Sequence, residues 1–402
     1  MADKEIQFNW NEMKDKEDIG PILEDFSKGK VDAIHGFQRS HGDYTKTPLV
    51  SLKSLSKHLQ LANLYVKDES KRYGLKAFKV LGGIYVVGRY LADLLKEDLS
   101  KLTIQELASA QLKEKTGEII FASATDGNHG RGIAWSAREL GHKAVIYLPK
   151  GAAKERVEAI EKEGATAVVT DVNYDDSVRL IAKKAEENGW VLVQDTAWEG
   201  YEKIPNWIMQ GYATLTKEID EQLQGEGPTH VFLQAGVGSF AGAIVASFKA
   251  LYGEQAPKFI LVEPHQANCY YESFVAKDHS YRTVGGALDT IMAGLSCGEP
   301  NPRAWEILKN EIDLSISADD RVAALGMRLL SSPLGEDERV IAGESGALPA
   351  GVLYVLMTDN RYKELRDRLD LGERSKVVLI NTEGDTDEKH YKEVVWEGRY
   401  PF

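Results

Sequence analysis

"EIIFASATDGNHGRGIAWSAREL", residues 118–140, decides the fold. Glu118–Ser123 is an apolar run, Ala124–Gly130 is rich in turn formers, and Arg131–Leu140 carries helix-forming residues. Strand, tight turn and helix in that order make one βα unit. The unit recurs. "KAVIYLP" (143–149) reads as a strand before the helix "AAKERVEAIEKEG" (152–164), and "TAVVT" (166–170) precedes a helix over 175–188. "WVLVQ" (190–194) is followed by a long helical stretch near 204–223. "HVFLQA" (230–235) runs through a glycine loop into a helix over 241–252, and "KFILVEP" (258–264) and "KVVLIN" (376–381) read as further strands. Short strands alternating with helices predict parallel sheets covered on both faces, an α/β protein. Ligands in such folds bind beyond the carboxyl ends of strands. Function is therefore expected at the turns after 123, 194, 235 and 381.

Bulk properties narrow the class. The chain has 402 residues, 43% hydrophobic and 28% charged, as expected of a globular protein of two domains or of one with an insertion. A net charge of −13 argues against a nucleic-acid partner, which needs a basic surface. No apolar run approaches the ~20 residues of a membrane span, and "MADKEIQFNW" (1–10) is too polar for a secretory leader. A cytoplasmic protein with no membrane partner is expected. Cys269 and Cys297 are the only cysteines. They read as two reduced thiols, and no metal-ligand spacing is visible.

The expected turns carry the chemistry. "AGVGSFAG" (235–242) brings backbone N–H groups and a helix N-terminus together, the requirements of a phosphate cradle. Gly236-Val237-Gly238-Ser239-Phe240-Ala241 also fits a dinucleotide-binding pattern, and Glu263 closes the next strand where a ribose-binding acid would sit. An NAD-dependent oxidoreductase is the rival reading. In "SATDGNHGRG" (123–132), Asp126 is either a helix N-cap or a ligand-facing acid. "VQDTAWEGYEKIPNWIMQGY" (193–212) places Asp195 at a strand end, and its aromatic residues read as core. "LINTEGDTDE" (379–388) offers Asn381 and Thr382 as neutral hydrogen-bonding groups, or is a solvated loop. Finally "GLKAFKVLGG" (74–83) sets Lys79 among apolar residues and glycines, where a lysine ordinarily opens a helix and reaches solvent along its stem.

Taken together, Phe78-Lys79, Thr125-Asp126-Gly127-Asn128-His129 and Gly236-Val237-Gly238-Ser239 resemble, in this order, the fold-type-II pyridoxal-phosphate enzymes. That family includes the serine and threonine dehydratases and the tryptophan synthase β subunit. The likeness runs from "TPLVSLKSLSKHL" (47–59) to "NTEGDTD" (381–387). "KDESKRYGLKAFKVLGG" (67–83), "ASATDGNHGRGIAW" (122–135), "QDTAWEGYEKIPNWIMQGY" (194–212) and "AGLSCGEPN" (293–301) are similar, more narrowly, to the diaminopropionate ammonia-lyase family.

The resemblance implies a tryptophan-synthase-β-like fold of two three-layer αβα domains with mostly parallel sheets. We expect a large cofactor domain of residues 1–88 and 205–402 and a smaller α/β domain of 89–204. It implies pyridoxal 5'-phosphate as cofactor, an amino-acid substrate and a homodimer. Lys79 is implied as the Schiff-base lysine, whose apolar surroundings favour the neutral amine. Phe78, Asn128, Gly236, Val237, Gly238, Ser239, Asn381 and Thr382 are implied as cofactor contacts. Ser123, Thr125, Asp126, Gly127 and Asp195 are implied for substrate, with Lys79, Asp126 and Asp195 catalytic.

One departure bears on the substrate. The dehydratases use small or hydroxyl residues to hold the substrate carboxylate in the loop where this chain has Asp126. A carboxylate there needs a cation, and the β-amine of 2,3-diaminopropionate provides one. Asp195 either shares that task or orients Asp126. The expected reaction is α,β-elimination from D- and L-diaminopropionate to pyruvate and two ammonia, and the resemblance implies Lys79 as the base for L and Asp126 for D. A serine/threonine dehydratase activity, the NAD reading and a non-catalytic subunit of the same fold are the alternatives. The choice between Asn381 and Thr382 as partner of the pyridine nitrogen stays open.

Overall fold

A computed structural model describes residues 5–402 except Lys16 and Asp126. Its strands are β1 (Ile6–Trp10), β2 (Leu49–Ser51), β3 (Asn63–Asp68), β4 (Ile120–Ala124), β5 (Lys143–Leu148), β6 (Thr166–Val169), β7 (Val191–Leu192), β8 (His230–Gln234), β9 (Lys258–Pro264), β10 (Leu314–Ala318) and β11 (Lys376–Asn381). The chain divides into two units. The larger comprises the segment ending at Ser27, Thr47–Lys71 and Glu218–Phe402; the smaller comprises Lys28–Lys46 and Arg72–Lys217.

The larger unit holds a seven-stranded sheet in the order β1-β10-β9-β8-β11-β3-β2. It is parallel except at its edges, where β1 pairs with β10 and β2 with β3 antiparallel. Phe232, Ile260, Val262, Leu314, Ile316, Val377 and Leu379 are buried in one apolar cluster. Such apolar central strands are what a sheet covered on both faces requires. The smaller unit holds a fully parallel four-stranded sheet, β6-β5-β4-β7.

Each sheet has one place where the winding reverses. From β4 the chain moves outward through β5 and β6, then returns to place β7 on the other side of β4. From β8 it moves outward to β9, and β11 returns on the other side. Crevices that bind ligands open at such reversals. The four turns expected from sequence fall here in two pairs.

Three expectations shift. The strand expected over 190–194 stops at Leu192, because Gln194 N donates to Tyr201 Oη at 2.9 Å instead of continuing a ladder. The long helix near 204–223 is two helices, Lys203–Tyr212 and Thr214–Gln222. Residues 28–46, 72–88 and 205–217, expected in the large domain, cluster with the smaller unit. Helix Val80–Leu95 explains the last shift. An added Cβ on Gly211 would lie 2.6 Å from Leu81 O, and one on Gly132 would lie 3.0 Å from Val80 N. Helices Lys203–Tyr212 and Asn128–Glu139 thus press directly on its first turn. Among the described residues no helix is long and apolar enough to cross a membrane.

Candidate active site

In the smaller unit, Lys79 stands immediately before helix Val80–Leu95. Gln38, fully buried, ties this helix start to its neighbour: its Nε2 donates to Leu81 O at 2.8 Å and to Gly211 O at 2.9 Å. Lys79 is half-buried, with its stem beside the buried Phe78 ring and Nζ 5.7 Å from the ring centre. Its Nζ donates to Asp195 Oδ2 at 2.5 Å. It does not simply reach for solvent.

Asp195 follows β7 and is only 3% exposed. Burial by itself raises its pKa, but His129 and Lys79 outweigh that and hold the carboxyl down at about 2. His129 Nδ1 lies 3.9 Å from Asp195 Oδ2, while its Nε2 donates to Val193 O at 2.9 Å. A carbonyl only accepts, so the contact fixes a proton on Nε2. Asp195 is therefore an anion between two nitrogen bases.

The turn after β4 is built to begin a helix at its tip. Thr125 Oγ1 accepts from Gly127 N at 2.9 Å and Gly130 N at 3.1 Å, capping helix Asn128–Glu139. Gly127 has φ +155° at its start. Ser123 is buried and donates to Gln194 Oε1 at 3.0 Å, tying β4 to the segment after β7. Its hydroxyl and that of Thr125 are thus occupied in shaping the turn. Asp126 lies outside the described residues.

In the larger unit, helix Ser239–Tyr252 starts two residues earlier than expected, directly on Gly238. Gly238 has φ +88°, and a Cβ there would collide with the Tyr270 hydroxyl. Tyr270 Oη donates to Val237 O at 2.8 Å, and Asn301 Nδ2 donates to Ser239 Oγ at 2.8 Å, so the loop is held from behind. Both cysteines are free thiols and both touch this loop. Cys269 Sγ lies 3.9 Å from Gly236 O, and Cys297 Sγ lies 3.4 Å from the place of a Gly236 Cβ.

Glu263 is not placed to read a ribose. It is fully buried, and its two oxygens accept from Tyr270 N at 3.0 Å and Tyr271 N at 2.7 Å, in the first turn of helix Cys269–Ala276. Burial lifts its carboxyl to about 8. The dinucleotide reading loses its acid.

At the neighbouring strand end, Asn381 Nδ2 donates to Asp68 Oδ1 at 2.8 Å and Ile341 O at 3.0 Å, using both amide protons. Thr382 Oγ1 instead accepts from Gln234 Nε2 at 2.8 Å and keeps its own proton to donate.

The pyridoxal-phosphate-dependent enzyme family model matches residues 41–383. A diaminopropionate ammonia-lyase of Salmonella typhimurium is 48% identical over 398 residues, covering 98% of each chain. The crystal structure of Escherichia coli diaminopropionate ammonia lyase in complex with D-serine superposes with TM-score 0.92, at 47% identity and 98% coverage of both chains. The structure of the same enzyme with an aminoacrylate–PLP azomethine reaction intermediate gives TM-score 0.89, at 46% identity and 98% coverage of both. The chain belongs to the diaminopropionate ammonia-lyases.

The cofactor of the diaminopropionate ammonia-lyases, pyridoxal phosphate, fits residues of this chain. The left-handed Gly238 puts no side chain at the cap of helix Ser239–Tyr252, as a phosphate cradle requires. Thr382, at the end of β11, retains a proton for an unprotonated ring nitrogen, whereas the Asn381 amide is consumed. His129 was quoted in the motif of residues 125–129 but was given no role, and Gln194, Gln234, Tyr270 and Asn301 were not picked out from sequence. These four act across long sequence separations and leave no local signal.

Proposed function

We propose that Lys79, Asp126 and Asp195 carry out the α,β-elimination of D- and L-2,3-diaminopropionate to pyruvate and two ammonia. The observation that carries this is the pairing of half-buried Lys79 with buried Asp195 at the point where the smaller sheet's winding reverses. Pyridoxal phosphate, when bound, supplies the electron sink that makes the substrate's α-proton removable. The N–H groups of Gly236–Ser239 would hold its phosphate and the Thr382 hydroxyl would donate to its ring nitrogen, with Phe78 and Asn128 as further cofactor contacts.

Lys79 Nζ takes the α-proton of the L-isomer, and the Asp195 carboxylate neutralises the ammonium that results. Asp126 serves the opposite face and takes the α-proton of the D-isomer. A β-amine leaves only with a proton, because amide ion is far too basic. An acid-rich surrounding favours that protonated β-amine, and a hydroxyl substrate such as serine gains nothing from it. The aminoacrylate product hydrolyses to pyruvate and the second ammonia. The resemblance also supports a homodimer, which light scattering of the purified protein tests, and the chain's composition supports a cytoplasmic location.

Asp126→Asn tests the two-base assignment. General-base loss typically costs about 10²–10⁴-fold in rate. Turnover of D-diaminopropionate, followed as pyruvate and ammonia, should fall by that order while L-diaminopropionate is much less affected. Equal losses on both isomers would leave Asp126 a binding residue only.

A further inference from the structure

Strands β8 and β11 are neighbours over only part of their length. Their ladder pairs His230 with Val377, Val231 with Val378 and Phe232 with Leu379, and goes no further. Beyond that level each strand stays with its outer neighbour. β8 follows β9 as far as Gln234 and Val262, and β11 follows β3 as far as Asn381 and Asp68. Strands that part where the winding reverses open the crevice in which such sheets bind ligands.

Gln234, the last residue of β8, spans the opening. It is buried, and its Nε2 donates across to Ile380 O at 3.1 Å and to Thr382 Oγ1 at 2.8 Å. A carbonyl only accepts, so the Ile380 contact fixes which end of the amide faces β11. Gln234 Oε1 has no partner among the described residues, and the amide acts on its surroundings through its N–H groups. The bond to Ile380 holds the parted strands together. The bond to Thr382 does something more. A hydroxyl has a single proton, and an Oγ1 that accepts from Gln234 turns that proton elsewhere. Accepting the bond also polarises the O–H and makes it a stronger donor.

We propose that Gln234 is a positioning residue that aims the Thr382 hydroxyl at the ring nitrogen of the cofactor. This rests on the place given to Thr382 above, and it is independent of which amino acid is the substrate. With its rotation fixed, the hydroxyl stays turned to an unprotonated ring nitrogen. Without Gln234 the same hydroxyl would spend part of its time turned back into the space the amide had filled.

The test compares how the apoprotein binds pyridoxal phosphate and its deaza analogue, in which a C–H group replaces the ring nitrogen. Gln234→Met fills nearly the same space without the N–H donors. The ratio of the dissociation constants, analogue over cofactor, should fall about threefold to tenfold in that variant. A purely structural loss would weaken both ligands alike and leave the ratio where it was. Thr382→Val should lower the ratio at least as much, and the double variant no further, because Gln234 acts through Thr382. An unchanged ratio in Gln234→Met, or a further fall in the double variant, would overturn the proposal while leaving Thr382 in its place. An unchanged ratio in Thr382→Val would remove Thr382 from the ring nitrogen, and the role of Gln234 with it. Should Gln234→Met fail to fold, the parent chain decides. Its labelled Gln234 amide signals in NMR should differ between the cofactor-loaded and analogue-loaded forms, and identical signals would contradict the proposal.

Discussion

Lys79 Nζ stands 2.5 Å from Asp195 Oδ2, with Asp195 buried and Lys79 half-buried at the start of a helix. A lysine so placed has its charge balanced by the Asp195 carboxylate. It loses that charge when its amine is consumed in an imine, and regains it on taking a proton. The pair is the electrostatic centre of the smaller unit's site.

Asp195→Asn should therefore impair both isomers of the substrate, unlike Asp126→Asn. It should also alter acid stability in a defined window. The folded carboxyl titrates at about 2 against an ordinary 3.8. Its contribution is present above the unfolded value and is lost as pH falls through the folded one. Denaturant titrations should show about 2 kcal/mol of stability lost by the parent between pH 5 and pH 2 that the asparagine variant does not lose. Parallel pH profiles would mean that the carboxylate is not held down by its neighbours.

Glu263 predicts the opposite slope. Its carboxyl is lifted from 4.5 to about 8 by burial, so the folded state binds a proton that the unfolded state has released. Stability then declines as pH rises from 4.5 to 8, by about 5 kcal/mol at the upper limit. Glu263→Gln should flatten that decline and be at least as stable as the parent at pH 8. A variant much less stable there would show that Glu263 is ionised and needed as an anion under helix Cys269–Ala276.

Gly238→Ala joins a left-handed strain of about 1 kcal/mol to a collision with the Tyr270 hydroxyl. We expect a lower melting temperature of the apoprotein and weaker retention of pyridoxal phosphate on dialysis. Cofactor binding stabilises the folded state by mass action, so the melting difference should widen when cofactor is added. Unchanged cofactor content would place the phosphate elsewhere.

What could be read from sequence follows the physics of burial. β8, β9 and β11 are unbroken apolar runs, because parallel strands are covered on both faces, and they were legible to within a residue or so. β3 was not, because "NLYVKD" ends in two charges. Those charges are buried only because distant partners exist: Lys67 Nζ donates to Glu218 Oε2 at 2.5 Å, Gln222 Oε1 at 2.9 Å and Thr47 O at 2.8 Å. β10 was missed because its Ser315 and Ser317 break the apolar pattern, although both are fully buried. Lys79 was marked by family resemblance, and its spacing alone would have left it a helix-opening surface lysine. Asp195 was legible as an acid at a strand end. Its pairing with Lys79, across a separation of 116 residues, was not. The same distance effect hid the Gln234–Thr382 bond, which distinguishes Thr382 from Asn381.

The most direct measurement is borohydride reduction of the holoenzyme followed by peptide mapping. The pyridoxyl group should be found on Lys79, with loss of activity on both isomers of diaminopropionate, and Lys79→Ala should fold but take up no label. A label on Lys67, Lys71 or Lys76 would contradict the account.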